Sequence, residues 1–360
     1  MSVNRIAPGK RRVTKKIRYG DVVVGGGAQV SIQSMTTCPA SEVEQTLDQI
    51  AALSKAGCEI VRVSVKADDD IEALPRICHE SPIPVIADIH FDHELAARSA
   101  KNGVQGLRIN PGNIGGEENV RRVIEAAGSE GIPVRVGVNS GSIERGFKDL
   151  YSEDPARALC GSALGHLGMI EKMGFTDLVF SLKSADPLVT VAANRLFAAE
   201  NEYPLHVGVT EAGPPLTGTA KSAVALTMLL AEGLGDTVRV SLSGDPVREV
   251  LVAAAILSAL GLRRDIPDII SCPTCGRCEI DVAGIAERLE RELLGIGKPL
   301  RIAVMGCEVN GPGEAKEADI GIAGSREGAV LFEKGKVTGR LDGDIAELFV
   351  EAVRRMAGES

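Results

Sequence analysis

Several features common in folded enzymes are scarce or missing in this sequence. It has no tryptophan, and aromatic residues make up only 3% of its 360 residues. The hydrophobic core must therefore be built mainly from valine, isoleucine, leucine and alanine. No apolar run approaches the ~20 residues needed to cross a bilayer. The basic start is followed by no apolar stretch typical of a signal peptide, so we expect a cytoplasmic protein without membrane contact.

An excess of positive charge is also absent. The formal net charge is −9, which argues against general binding of nucleic acid. One segment departs from this balance, because residues 5–18 contain seven basic side chains and no acid. A run of this kind is usually a solvated arm. The alternative is a docking patch for an acidic protein or an anionic substrate.

The first 260 residues repeat one pattern, a short β-branched strand followed by an amphipathic helix. The predicted strands lie at 29–35, 60–65, 84–90, 106–110, 133–139, 177–183, 204–210 and 237–242. Helices are predicted at 43–56, 69–79, 93–102, 117–128, 155–173, 188–200, 219–233 and 246–260. The strands are nearly continuous apolar runs, as expected of parallel strands covered on both faces. Eight such units predict a (β/α)8 TIM barrel rather than an open doubly wound sheet.

The repeating pattern ends near residue 261, where a polar segment containing glycine and proline indicates a linker. The remaining residues include predicted strands at 301–305 and 319–323 and terminal helices, which indicate a small α+β domain. We therefore expect a substrate-binding TIM-barrel domain with a basic N-terminal arm at 1–262. A second domain at 263–360 holds the clustered cysteines.

Four of the predicted barrel strands carry an arginine between apolar residues near the carboxyl end: Arg62, Arg108, Arg135 and Arg239. Active sites of TIM barrels form at this end, so the four guanidinium groups should converge there. They would repel one another unless an anion lay among them, and arginine suits phosphate. The alternative is that each arginine pairs with an interior acid such as Asp88 or Glu211.

Polar groups around these arginines agree with an anionic ligand. Glycine-rich loops begin at Asn110 and Asn139, and their backbone N–H groups can hold phosphate oxygens. Lys183 ends the sixth strand and either adds a cation or lies at the surface. Glu211 and His90 end the seventh and third strands, where they can move protons. Their alternatives are a structural ion pair and a packed histidine.

Half of the eight cysteines lie within one 36-residue window: Cys272, Cys275, Cys278 and Cys307. Such clustering in a cytoplasmic protein favours metal or iron–sulfur ligation over disulfides. Two ligand sets remain open. The four thiolates suit an iron–sulfur cluster or a structural zinc. Alternatively, Glu314 supplies an oxygen in place of Cys278 and leaves one iron weakly held.

Several long motifs resemble a known family. They read Cys-Pro-Thr-Cys-Gly-Arg, Gly-Cys-Glu-Val-Asn-Gly-Pro-Gly-Glu, Leu-Arg-Ile-Asn-Pro-Gly-Asn-Ile-Gly, Ala-Asp-Ile-His-Phe-Asp and Val-Thr-Glu-Ala-Gly. From about Arg18 onward, the sequence resembles the bacterial 4-hydroxy-3-methylbut-2-en-1-yl diphosphate synthases of the methylerythritol phosphate route to isoprenoids. The resemblance implies reductive ring opening of 2-C-methyl-D-erythritol 2,4-cyclodiphosphate. It also implies a homodimer in which two electrons pass through one [4Fe-4S] cluster from flavodoxin or ferredoxin.

The resemblance further assigns roles to residues. It implies four cluster ligands: Cys272, Cys275, Cys307 and Glu314. Together with the strand and loop positions above, it gives the expected substrate-binding residues: Arg62, Arg108, Asn110, Arg135, Asn139, Lys183, Arg239, Ser241 and Ser243. The expected catalytic residues are Glu211, His90 and Glu314. The sequence departs from the family pattern at Cys278, which usually is not cysteine, and slightly at 181–186 around Lys183.

Two other functions fit the same residues. The first is a zinc-stabilised TIM-barrel enzyme that acts on a phosphorylated substrate without redox chemistry. The second is a non-enzymatic iron–sulfur carrier with a ligand-sensing barrel. A brown colour bleached by dithionite would exclude zinc, and turnover of the cyclic diphosphate with a chemical reductant would exclude the carrier.

Overall fold

The computed structural model describes residues 10–293, 296–307 and 317–358. The chain splits into two compact units, Met1–Leu262 and Arg263–Ser360. Within the described ranges, no helix is both long enough and apolar enough to span a membrane.

The first unit is a barrel of eight parallel strands preceded by a short antiparallel hairpin, β1 (Ile17–Tyr19) and β2 (Val22–Val24). The barrel strands are β3 (Ser31–Met35), β4 (Ile60–Ser64), β5 (Val85–Asp88), β6 (Gly106–Ile109), β7 (Val134–Asn139), β8 (Leu178–Lys183), β9 (His206–Val207) and β10 (Thr237–Val238). They pair in the order β8-β7-β6-β5-β4-β3-β10-β9. A parallel bridge between Phe180 and Leu205 joins β8 to the start of β9. The predicted (β/α)8 barrel is therefore confirmed, although β9 and β10 are shorter than predicted.

Helices alternate with these strands: α1 (Val43–Lys55), α2 (Asp68–Glu80), α3 (His93–Ala100), α4 (Pro111–Ile114), α5 (Glu117–Glu130), α6 (Lys148–Glu153), α7 (Pro155–Lys172), α8 (Pro187–Glu200), α9 (Pro215–Ala231) and α10 (Pro246–Ala259). The starts of α7, α8 and α10 share one signal, an aspartate cap followed by proline. The carboxylate accepts free backbone N–H groups, and proline lacks the N–H that would stay unpaired. The short helices α4 and α6 were not predicted. They lie in the loops that follow β6 and β7.

The N-terminal hairpin packs into the amino end of the barrel, which the sequence did not predict. Tyr19 is fully buried. It belongs to an apolar cluster that joins the hairpin to the barrel interior: Ile17, Tyr19, Val24, Ile60, Ile86 and Val179. A Cβ added at Gly106 would lie 2.5 Å from the Tyr19 ring, so only glycine leaves room there. The hairpin leaves the carboxyl end as the open end of the barrel.

The basic arm is partly used in the fold. Arg11 pairs with the buried Asp236 at 3.1 Å. Arg12 donates to three backbone carbonyls at and beyond the end of α8: Ala198, Asn201 and Tyr203. The last carbonyls of a helix lack intrahelical partners, so an arginine placed there stabilises the helix end. For these two residues, neither the solvated arm nor the docking patch is right.

The second unit contains a five-stranded sheet in the order β11 (Asp268–Ser271), β12 (Arg301–Met305), β13 (Ile320–Ser325), β14 (Gly328–Glu333) and β15 (Lys336–Leu341). The first three strands are parallel and the last two are antiparallel. Helices α11 (Val282–Glu292) and α12 (Ile345–Ala357) pack with one face of this sheet around Leu289, Ile302 and Phe349. The predicted α+β class is confirmed. Strands β11, β14 and β15 were not predicted.

Candidate functional site

The carboxyl half of the barrel interior is lined by charge rather than by the apolar layers usual in TIM barrels. Arg108 and Arg135 occupy matched register positions on β6 and β7. They are 4% and 1% exposed, respectively. Arg135 donates to Gln33 Oε1 of β3 at 3.0 Å, a bond that crosses the barrel. The interior therefore holds guanidinium groups out of reach of bulk water.

Two carboxylates pair with three of the four arginines. Asp88, at the end of β5, lies 3.2 Å from Arg62 and 3.0 Å from Arg108. Burial alone would raise the pKa of Asp88, but the two arginine charges lower it well below its ordinary value. Glu249 of α10 pairs with Arg239 at 3.2 Å. The alternative of acid pairing is thus right for Asp88 and wrong for Glu211, which is exposed to solvent.

The charges do not balance. Five cations share this interior and influence one another electrostatically: Arg62, Arg108, Arg135, Lys183 and Arg239. Among the described residues, Asp88 and Glu249 are the carboxylates that pair with them, so the basic side chains outnumber the carboxylates by three. Burial and the neighbouring cations lower the pKa of Arg135 to about 10 and that of Lys183 well below its ordinary value. Uncompensated buried charge is costly, so the site favours an anion with several charges.

Two glycines make room for these cations. A Cβ added at Gly137 would lie 2.9 Å from Arg108 Nη2. At Gly208 it would lie 2.1 Å from the Arg239 carbonyl oxygen and 3.2 Å from Lys183 Nζ. Contacts this short do not occur, so a larger residue at either position would displace a cation or the backbone that holds it.

The two glycine-rich loops are tied together at the same end. Asn110 Nδ2 donates to Ser142 Oγ at 2.6 Å, and Asn110 Oδ1 accepts from the Gly112 N–H. Asn139, turned so that both amide atoms are satisfied, accepts from Arg108 Nη2 at 3.2 Å. Both predicted asparagines therefore lie beside the cations or on the loops above them.

Glu144 anchors the second of these loops to α7. It pairs with His166 and accepts from Ser162 Oγ at 2.7 Å. Burial opposes ionisation, but these hydrogen bonds lower the pKa of Glu144 to about 2. The side chain also lies against Gly112, where an added Cβ would come within 2.9 Å of Glu144 Cγ. One half-buried carboxylate thus holds both loops.

The predicted proton-transfer residues lie at the open end. Glu211 follows β9 with φ of +51°, a left-handed conformation that costs a non-glycine residue energy and is common at functional sites. His90 Nε2 lies 3.3 Å from Asp88 Oδ2 and 3.2 Å from Arg108 Nη1. Ser241 is partly buried, and Ser243 is exposed, with its N–H bonded to the Gly213 carbonyl at 3.0 Å.

Sequence reasoning missed four residues of this interior: Gln33, Met35, His206 and Glu249. Met35 Sδ lies 3.0 Å from Arg62 Nη2. His206 is fully buried, and neither of its ring nitrogens has a hydrogen-bond partner among the described residues. Alternation along β3 could have placed Gln33 on the inward face. Glu249 lies in a helix, where its contact with Arg239 leaves no local sequence signal.

In the second unit, the cysteine motifs meet at the carboxyl ends of two adjacent parallel strands. Cys272 follows β11, and its Sγ accepts from the Gly306 N–H at 3.2 Å, just after β12. Cys307 is the next residue, and all four thiols are free. Cys275 is exposed, whereas Cys272 and Cys278 are partly buried and both pack against the apolar core of this unit. Cys278 Sγ also lies beside Gly306, so all four cysteines belong to this region. Glu314 lies outside the described residues.

The donor set agrees with an iron–sulfur cluster. Cys272, Cys275 and Cys307 offer three free thiols from two chain segments that the sheet brings side by side. Thiolates are the ligands that such clusters require. Within the described ranges, no group of three His, Cys, Asp or Glu side chains is already arranged to hold a metal ion.

Comparisons with known proteins agree with this arrangement. Residues 14–254 match the GcpE TIM-barrel domain, and residues 268–355 match the GcpE C-terminal domain. A 4-hydroxy-3-methylbut-2-en-1-yl diphosphate synthase (flavodoxin) of Geobacter sulfurreducens is 50% identical over 347 residues, covering 96% of this chain and 98% of that protein. The enzyme of the same name from Salinispora arenicola is 49% identical, covering 97% of this chain and 90% of that protein.

More distant solved structures share the barrel. Dihydropteroate synthase of Yersinia pestis, in a sulfonamide complex, superposes with a TM-score of 0.51 at 13% identity, covering 69% of this chain and 100% of that one. N-acetylneuraminic acid synthetase of Leptospira borgpetersenii also gives 0.51 at 13% identity, covering 78% and 97% of the two chains. At this identity, the likeness concerns the fold alone.

Proposed function

The chain belongs to the GcpE family, and from this membership we propose how its residues divide the work. It catalyses the reductive ring opening of 2-C-methyl-D-erythritol 2,4-cyclodiphosphate to 4-hydroxy-3-methylbut-2-enyl diphosphate, a step in isoprenoid precursor biosynthesis. The barrel binds the cyclic diphosphate, and the second unit carries the redox centre.

One observation supports this division most strongly: five cations and two carboxylates share the barrel interior. A cyclic diphosphate carries two negative charges in a compact ring, so it offsets most of the excess. Neutral and singly charged ligands would leave more of it uncompensated. We assign binding of the diphosphate to the predicted substrate-binding residues: Arg62, Arg108, Asn110, Arg135, Asn139, Lys183, Arg239, Ser241 and Ser243.

The proton-handling groups follow from the same geometry. Glu211 is exposed at the open end, within reach of a bound ligand rather than locked in an ion pair. We assign it the role of acid/base. His90 is oriented by Asp88 and Arg108, so it can donate or accept a hydrogen bond at the ligand according to its tautomer.

The redox centre belongs to the second unit. A [4Fe-4S] cluster would be held by the thiolates of Cys272, Cys275 and Cys307 and by Glu314, and it would supply the two electrons of the reaction. The family resemblance leaves Cys278 out of this set, although its Sγ lies beside Gly306, the residue before Cys307. The Gly306 N–H that donates to Cys272 Sγ would orient this ligand.

The partners follow from the relatives. The names of these relatives specify flavodoxin, so we propose flavodoxin as the electron donor, with ferredoxin as the alternative. We also propose that the enzyme works as a homodimer in the cytoplasm. Light scattering of the cluster-loaded protein tests the dimer, and oxidation of reduced flavodoxin on addition of substrate tests the donor.

An anaerobic turnover assay tests the function itself. The cluster-loaded enzyme, a chemical reductant and the cyclic diphosphate should give the linear allylic diphosphate, detected by phosphorus NMR. Protein reconstituted with zinc should bind the substrate and give no product. Equal turnover by the zinc-loaded protein would contradict the redox mechanism and restore the alternative of a zinc-stabilised enzyme.

A further inference from the structure

Lys183 is a buried basic side chain at the carboxyl end of the barrel. It ends β8 and is 7% exposed. Within the described part of the chain, its ammonium group makes no hydrogen bond and no ion pair. Its Nζ lies beside Gly208, the residue after β9. A Cβ added at Gly208 would lie 3.2 Å from Lys183 Nζ. Within the described residues, no carboxylate would therefore offset a positive charge on Lys183.

The groups around Lys183 come from several elements of the barrel, and most are cations: Arg62 of β4, Arg108 of β6, Arg135 of β7, Arg239 after β10 and His206 of β9. Asp88 of β5 is engaged by Arg62 and Arg108, and Glu249 of α10 by Arg239. Glu211, on the loop after β9, is exposed. His206 is already neutral near physiological pH, because burial, the largest cause, and the neighbouring arginine charges lower its pKa well below its ordinary value.

The electrostatic repulsion among these buried basic groups is lowered most easily if lysine loses its proton. A guanidinium group does not lose its proton in proteins, whereas an ammonium group does so readily when it is buried. Burial, followed by the charges of the four arginines, lowers the pKa of Lys183 well below its ordinary value. Lys183 is thus the member of the cluster that can become neutral by losing a proton.

We propose that Lys183 is an uncharged amine in the ligand-free enzyme and becomes an ammonium group when the cyclic diphosphate binds. The free amine takes the proton from solvent, and no bond of the substrate changes in this step. The substrate is already fully ionised near neutral pH, since each of its phosphates is a diester-like acid. Uptake therefore reports on the protein. The inference rests on the proposed substrate.

The linkage has a defined sign. Because binding takes up a proton, affinity falls as pH rises between the pKa of Lys183 in the free enzyme and its higher pKa in the complex. The fifth positive charge forms only when two negative charges are present. The site therefore avoids a standing cost while free and favours a doubly charged ligand.

Titration calorimetry in buffers of different ionisation enthalpy tests this directly. Cluster-loaded enzyme is titrated anaerobically with the cyclic diphosphate and without reductant, so that no turnover occurs. We expect uptake of about one proton per site near neutral pH, and a tenfold loss of affinity per pH unit within the uptake window. Binding heats that are identical in all buffers would overturn the proposal.

Three variants assign the proton. Lys183→Arg keeps a permanent charge, so it should bind without proton uptake, as should the neutral Lys183→Met. His206→Asn should retain the uptake. If His206→Asn abolishes it and Lys183→Met does not, the proton goes to the histidine and the proposal is wrong. If the wild-type enzyme gives no binding heat with the cyclic diphosphate in any buffer, the proposed function itself is contradicted. Binding without uptake contradicts this inference alone.

Discussion

Replacing Arg135 with methionine should move stability and affinity in opposite directions. Arg135 is fully buried, and among the described residues it pairs with no carboxylate and donates one hydrogen bond, to Gln33. Burial lowers its pKa from the ordinary arginine value to about 10, which corresponds to about 3 kcal/mol by which the interior disfavours the charged form. Methionine has similar length and no charge. Loss of the hydrogen bond to Gln33 costs about 1 kcal/mol, so the ligand-free variant should gain about 1–2 kcal/mol of stability.

Binding should respond in the other sense. A hydrogen bond from a charged donor to phosphate contributes about 1.5–3 kcal/mol, so the dissociation constant of the cyclic diphosphate should rise about 10- to 150-fold. The iron content per chain should stay unchanged, because Arg135 belongs to the barrel. Calorimetric titration gives the affinity, and denaturant unfolding of the cluster-loaded protein gives the stability.

Arg108→Met is the matched control. It weakens the same grip but also removes a partner of Asp88, which lies 3.0 Å away. A buried carboxylate that loses one of two arginines should destabilise the protein by about 1–3 kcal/mol. The reasoning is refuted if Arg135→Met binds the diphosphate like wild type, or if both variants lose the same stability.

Three further predictions concern other parts of the chain. Serine replacement should remove most iron and all turnover at three cysteines, as measured by iron analysis and product formation: Cys272, Cys275 and Cys307. Cys278→Ser should keep the cluster, whereas loss of iron in this variant as well would support the four-cysteine set. Gly106→Ala should destabilise the barrel by about 1–3 kcal/mol in denaturant unfolding, because its methyl group would meet the Tyr19 ring, and an unchanged midpoint would contradict that contact. The pKa of Glu144 is lowered from about 4.5 to about 2, so its ionised carboxylate stabilises the folded state. This contribution is fully present above pH 4.5 and falls progressively as the pH drops toward 2. Glu144→Gln cannot ionise, so it should lose less stability than wild type as the pH falls through this window. Unfolding midpoints measured from pH 5 to 3 test this. A profile identical to that of wild type would show that the bond to His166 is not needed.

The barrel could be predicted because its signal is local and repeated. Each strand is a continuous apolar run, and helix starts such as Asp186-Pro187 carry their own capping chemistry. The N-terminal hairpin could not be predicted, since β1 and β2 have three residues each and gain their stability from packing into the barrel. Periodicity over so few residues does not separate a strand from a loop.

The site divides in the same way. The arginines lie on strands, so strand parity and the rule for barrel active sites place them together. Their partners depend on tertiary geometry. Asp88 lies on a strand, so the sequence suggests it as a partner of the arginines. Glu249 reaches Arg239 from a helix, and its sequence position does not suggest this pairing. His206 looked like an ordinary strand residue, and only its burial among cations makes it unusual.

The most direct test of the central claim is a structure of the cluster-loaded enzyme with the cyclic diphosphate bound and no reductant. The account predicts both phosphates at the carboxyl end of the barrel, with oxygens within hydrogen-bond distance of the Arg135 guanidinium and of Lys183 Nζ. A substrate bound elsewhere, with these two cations still unpaired, would contradict the claim that the charge excess in the barrel exists to hold it.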